Sequence, residues 1–93
     1  MKKKLNIGDS YEIEWFDTFS FNGWYDDEEL ENKTKKMNYL QRSVGIFAGE
    51  YHNWIILATH ENPNESFAKW GHPDWIYRGT ITKITKIKVH RTD

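Results

Sequence analysis

Cysteine is missing from all 93 positions. Disulfides and thiolate metal sites are therefore excluded. Long apolar runs are also missing: none reaches the roughly 18 residues that a membrane-crossing segment needs, so no membrane partner is expected. The opening Met1-Lys-Lys-Lys-Leu-Asn-Ile-Gly has the basic start of a signal peptide but lacks its apolar stretch. The expectation is a cytoplasmic protein. The sequons Asn32-Lys33-Thr34 and Asn64-Glu65-Ser66 would matter only in a secreted one. Basic excess is absent too. Thirteen Lys and Arg face 14 Asp and Glu, well mixed, for a formal net charge of −1. Nucleic-acid binders usually carry a basic surplus, which disfavours that class.

The usual signatures of catalysis and cofactor binding are equally scarce. Gly45-x-x-x-Gly49 is not followed by the Lys-Ser/Thr pair of a phosphate loop. His60 and His72, with Glu61 and Asp74 nearby, are metal-ligand types, but no metal-ligand spacing accompanies them. They read as polar loop residues, as does His52, with His90 in the tail. Asp26, Asp27, Glu28 and Glu29 are the obvious carboxylates. Their consecutive placement at a helix start is explained by capping and by the helix dipole. The same run also suits docking onto a basic protein surface or mimicry of nucleic-acid charge. A paired acid–base site needs two carboxylates in different environments, and nothing in the spacing provides one. No catalytic residue, metal or cofactor is expected, and the chain does not read as an enzyme.

What is abundant is aromatic: 16% of residues, including five Trp. A chain of this length makes one domain, 1–93, and buries roughly 60–65% of its unfolded surface. Five Trp exceed what so small a core commonly needs, and Trp and Tyr are favoured at binding surfaces.

The chain reads as mainly β. Tyr11, Ile13 and Trp15 alternate with Glu12 and Glu14 in a strand over Ser10–Phe16, after a turn at Gly8-Asp9. Ser43–Thr59 reads as a central hairpin. Its first strand alternates Val44, Ile46 and Ala48 with Ser43, Gly45 and Phe47. Gly49–Asn53 is the turn, and Trp54–Ala58 is apolar enough to be buried on both faces. Asp26–Met37 suits a short exposed helix, acidic first and basic last, with only Leu30 and Met37 as an apolar stripe, and a disordered loop is the alternative. His60–Asp74, with Pro63, Asn64, Gly71 and Pro73, reads as a long loop. Trp75–Tyr77 is a short strand and Arg78-Gly79 a turn. Ile81, Ile84 and Ile87 recur every third residue, which suggests a 3₁₀ turn feeding a last β-branched strand to Val89. Five short strands, two long loops and that turn make a single small five-stranded SH3-like barrel with one short helix in a long loop. An OB-like barrel is the alternative.

Tyr11-x-Ile13-x-Trp15-x-Asp17, Gly23-Trp24, Arg42-Ser43-Val44-Gly45, Ile55-x-Leu57-Ala58 and Ile76-x-x-Gly79-x-Ile81 together carry a resemblance. From Tyr11 to Val89 the chain resembles small phage- and prophage-encoded SH3-like proteins, mostly of unknown function. The resemblance implies a non-enzymatic protein that binds and neutralises a host component in the host cytoplasm. It supplies no catalytic residues.

Two non-periodic segments concentrate the aromatics: the loop Phe16–Tyr25, with Phe19 and Phe21, and the segment Phe67–Trp75. If they lie at neighbouring edges, Trp24, Tyr25, Trp70 and Trp75 form a stacking surface, with Arg42 and Arg78 supplying bonds to phosphate or carboxylate. Otherwise these rings are a minicore that ties the loops down. The partner expected is a host protein or a nucleotide-type small molecule. Nucleic acid held by Lys2–Lys4, Lys83, Lys86 and Lys88 is a second class, although lysines on an edge strand also block aggregation. A structural subunit of a virion or complex, as a homo-oligomer, is a third.

Overall fold

A computed structural model of the chain describes residues 4–17, 23–36 and 40–88. Lys2, Lys3, Phe19, Phe21, Met37, Val89 and His90, singled out above, lie outside the described residues. In chain order the elements are β1 (Ser10–Phe16), α1 (Asp27–Lys36), β2 (Leu40–Tyr51), β3 (Trp54–Ala58), β4 (His60–Glu61), β5 (Trp70–Gly71), β6 (Asp74–Tyr77), a 3₁₀ turn (Arg78–Thr80) and β7 (Ile81–Ile87). The fold is mainly β. Five strands form an antiparallel sheet in the order β6-β3-β2-β1-β7, and β4 and β5 form a separate two-stranded ribbon. The five-stranded ladder has two ends: β6 and β7 are not paired with each other. No described helix is long and apolar enough to cross a membrane.

The β2–β3 hairpin is tighter than the sequence suggests. Its turn is only His52-Asn53, both with positive φ (51° and 67°), the geometry of a two-residue primed turn that suits strand twist. Gly49 belongs to the strand. Phe47 pairs with Leu57 and Gly49 with Ile56, so Ala48 is the extra residue of a β-bulge. Gly49 has φ +148°, and a side chain there would meet the Tyr51 ring at 3.0 Å.

The bulge and the approach of β3 decide which face of β2 is buried. Ser43, Gly45 and Phe47 point inward, while Val44 points out and is 60% exposed. A Cβ on Gly45 would lie 2.9 Å from both the Ala58 carbonyl oxygen and Leu57 Cβ, so only glycine lets the strands come this close. The bulge then lets Phe47 and Ala48 both be buried. The face predicted from Val44, Ile46 and Ala48 is corrected in this respect. So is the expectation that β3 is covered on both sides: Ile55, Leu57 and Ala58 are buried, but Trp54 is exposed.

The core consists of Tyr11, Ile13, Phe47, Ile55, Leu57 and Ile76, with Leu5, Trp15, Ile81 and Ile84 packed against it. Burying each large aliphatic side chain contributes about 1.5–3 kcal/mol. Tyr11 meets Phe47 edge to face at 6.2 Å, and its hydroxyl accepts a hydrogen bond from the Asn6 amide. The three-residue spacing of the isoleucines has a different cause from the one expected. The 3₁₀ turn precedes Ile81. A register shift in the β1–β7 pairing, with Trp15 opposite Ile81 and Glu14 opposite Lys83, skips Thr82. That irregularity lets Ile81 and Ile84 both pack on the core. The Thr82 hydroxyl donates to the Glu14 carbonyl there, at 3.3 Å.

The helix forms where charge order and capping predict it. The Glu29 amide donates to the Asp26 carboxylate at 2.8 Å, and Lys35 pairs with Glu31 one turn earlier at 3.2 Å. The long segment after β3 is more ordered than a plain loop. The β4–β5 ribbon is extended by Thr59 N–H to the Gly71 carbonyl and Asn62 N–H to the Lys69 carbonyl.

Candidate functional site: an aromatic groove

A groove of about 500 Å³ opens where four parts of the fold meet. It is lined by Trp15, Phe16 and Asp17 at the end of β1, Trp54 at the start of β3, Trp75 and Tyr77 in β6, and Thr80 in the 3₁₀ turn. Its volume falls within the range typical of ligand sites, and five of its seven lining residues are aromatic.

Strand alternation explains the outer wall. β3 pairs with β6 in the register Trp54–Tyr77, Ile55–Ile76 and Ile56–Trp75. Ile55 and Ile76 enter the core, so Trp54, Trp75 and Tyr77 must face away from it, and each is about half exposed. Trp54 and Tyr77 pack edge to face, ring centroids 5.1 Å apart at 64°. The inner wall is Trp15, whose ring packs on the core while its indole N–H donates to Ser43 Oγ at 2.9 Å.

The 3₁₀ turn locks these strand ends together. The Arg78 amide donates to the Asn53 carbonyl at 2.8 Å, fastening the β2–β3 turn beside Tyr77. The Thr80 hydroxyl donates to the Tyr77 carbonyl at 2.7 Å. Tyr77 folds its ring over Gly79, where a Cβ would stand 2.8 Å from ring carbon Cε2. The Arg78 guanidinium reaches across to Glu50 on β2 with two bonds, Nε to Oε2 at 2.8 Å and Nη2 to Oε1 at 2.7 Å. Both side chains are largely buried. The hydrogen bond to Glu50 raises the Arg78 pKa above its ordinary value, against the opposing effect of burial.

The residues expected to form a site are thereby separated. Trp75 lines the groove. Arg78 sits beside it in sequence but is committed to Glu50. Arg42 lies on the outer face of β2 and pairs with Glu14 at 3.0 Å, with Glu12 at 4.0 Å, in an exposed ion cluster. Trp24 is fully exposed and lines no part of the groove. Tyr25 lies under Lys33 of the helix, 5.3 Å from ammonium to ring centroid. Trp70 lies in the ribbon beneath Lys69, also at 5.3 Å, and Lys69 in turn pairs with Glu61 at 3.7 Å. Trp70 therefore braces the ribbon and is not part of the groove. His60 and His72 meet edge to face at 5.9 Å, and no group of three or more His, Asp or Glu among the described residues is placed to hold a metal ion.

No family model, curated protein or solved structure matches the chain.

The groove residues that sequence reasoning passed over are Trp15, Phe16, Asp17, Trp54, Tyr77 and Thr80. One signal was available for two of them, Trp54 and Tyr77, and it applies to Trp75 as well. An aromatic residue at both ends of an antiparallel strand pair, out of phase with the buried isoleucines, must be on the surface. Trp54, Trp75 and Tyr77 each stand one position away from Ile55 or Ile76.

Proposed function

We propose that this protein is a non-enzymatic binding module whose working surface is the Trp15–Trp54–Trp75–Tyr77 groove. The observation that carries this reading is the half-exposure of large rings that a purely structural sheet would bury. Trp54, Trp75 and Tyr77 stay in solvent contact although the core lies one residue away on each strand. Large aromatic rings presented on rigid strands are favourable anchors for a partner, because little conformational freedom is lost on binding.

An SH3-like fold is the finer reading of the architecture. Support comes from the strand order β6-β3-β2-β1-β7, the single-turn 3₁₀ segment before the last strand, and a β2 that pairs with β1 through its first half and with β3 through its second. The sequence resemblance to phage- and prophage-encoded proteins directs the reading of the partner: a host component, which the module occupies and so takes out of action. Among such partners, the groove disfavours a nucleotide-type anion. Among the described residues its lining contains a carboxylate and no basic group, and both candidate arginines are held by glutamates elsewhere.

Native mass spectrometry of the protein purified from host-type cells tests this reading. The wild type and Trp24→Ala should retain the same partner mass, and Trp54→Ala/Trp75→Ala, shown to be folded by circular dichroism, should lose it. Retention by the double variant would place binding elsewhere on the molecule.

A further inference from the structure

The groove's charge and shape narrow the kind of ligand it suits. Among the described residues Asp17 is the one charged group that lines it. Arg78, the nearest cation in sequence, is turned away onto Glu50. The rings of Trp54 and Tyr77 meet at 64°, which makes a corner, with Trp75 on β6 and Trp15 and Phe16 at the end of β1 also lining the groove. Aromatic faces carry negative potential, and so does the carboxylate. An anion would be repelled by both. A neutral apolar ligand would leave Asp17 unused. A primary ammonium would lose its three hydrogen bonds to water, and the lining offers few acceptors in return. A quaternary ammonium has no N–H to satisfy, carries an apolar shell, and spreads its positive charge over that shell. Its needs are aromatic faces and one nearby carboxylate.

We infer that the groove binds a small quaternary ammonium compound of the choline type, held by cation–π contact with Trp15, Trp54, Trp75 and Tyr77 and balanced by Asp17. The inference rests on the binding-module reading and specifies its ligand. The space, about 500 Å³, is larger than choline alone and suits a whole small ligand of this class, a choline ester included.

The test is a titration of the nitrogen-labelled protein, followed through its five Trp indole N–H signals. The probes are choline, its neutral carbon isostere dimethylbutanol, and a peptide bearing trimethyllysine. Choline should shift the signals of Trp15, Trp54 and Trp75, leave those of Trp24 and Trp70 in place, and bind about tenfold or more tighter than the isostere. Asp17→Asn, an exposed substitution that spares the fold, should weaken choline several-fold and leave the isostere unchanged. Equal affinity for choline and the isostere would overturn the inference, as would shifts confined to Trp24 or Trp70, or no shift. A peptide affinity about tenfold or more above that of choline would overturn the small-molecule source. None of these outcomes bears on whether Trp54→Ala/Trp75→Ala loses its partner in mass spectrometry, so the two readings can fail separately.

Discussion

Trp54 and Trp24 are the same residue type in two opposite situations, and the contrast defines what a side chain contributes here. Trp24 is wholly exposed. Trp24→Ala should change stability by no more than about 0.5 kcal/mol in urea denaturation. Trp54 packs on Tyr77 at 5.1 Å, and such a pair is worth about 0.5–1.5 kcal/mol beyond its area. Trp54→Ala should therefore show a measurable loss of about 1–2 kcal/mol in the same assay. The two arginines contrast in the same way. Arg42 is exposed and its glutamates are only partly buried, so the guanidinium stays in water and Arg42→Ala should cost at most about 1 kcal/mol. Arg78 and Glu50 are mostly buried and doubly bonded. Glu50→Ala strands a cation and should cost about 1.5–3 kcal/mol, seen as a fall in the thermal midpoint of several degrees. Because the folded state raises the Arg78 pKa, its contribution is full below the unfolded value and is lost only as pH rises through the folded one. From the arginine side, the pair is thus insensitive to pH throughout the neutral range. Sequence reasoning had grouped the arginines as ligand contacts. Glu14 and Glu50, which hydrogen-bond them, each lie 28 residues away, and only the sheet register brings them together.

At the scale of elements, the strands and the helix were legible because their signals are local. The alternation in Ser10–Phe16, the acidic-to-basic order of the helix and the breadth of the Ser43–Thr59 hairpin all correspond to observed elements. What could not be read was the effect of one strand on the next. The inward face of β2 is set by Gly45 crossing Leu57 and by the bulge at Ala48, both tertiary events. Trp24 and Trp70 stand out in the sequence because they fall in unpatterned segments, whereas the rings that line the groove sit on or beside patterned strands. Two substitutions probe these elements. His52 holds φ 51° at the first turn position, where a primed turn favours asparagine. His52→Asn should raise stability by roughly 0.5 kcal/mol, read as a higher urea midpoint with an unchanged slope. Gly79→Ala puts a methyl group against the Tyr77 ring. Since that ring is half exposed, it can swing away, so the expected loss is in groove binding, with a small change in stability. A variant that unfolds would show the 3₁₀ turn to be stricter than this.

Across the whole molecule, the sheet ends in two edge strands, each paired on one side only among the described residues, and the way it guards them bears on the lysines. β6 is only four residues long. β7 has seven and pairs on one side only, with β1. An exposed strand edge of that length is a template for pairing with another copy. Lys83 and Lys86 on β7 and Lys88 just after it are exposed, and Lys86 is held by Asp9 at 3.2 Å. Placing charge along the free edge would keep copies apart. The triple variant Lys83→Thr/Lys86→Thr/Lys88→Thr keeps strand propensity and removes that charge. It should self-associate at concentrations where the wild type does not, as measured by sedimentation velocity. The competing reading, that these lysines hold nucleic acid, expects different results from the same pair of proteins. The wild type would shift DNA or RNA in a gel, with affinity falling steeply as salt rises, and the variant would lose the shift without gaining mass. With the groove lacking any basic residue and the net charge at −1, the expected outcome is no gel shift from the wild type and a larger species from the variant. A salt-sensitive shift with an unaltered sedimentation coefficient would move the functional surface from the groove to the edge strand.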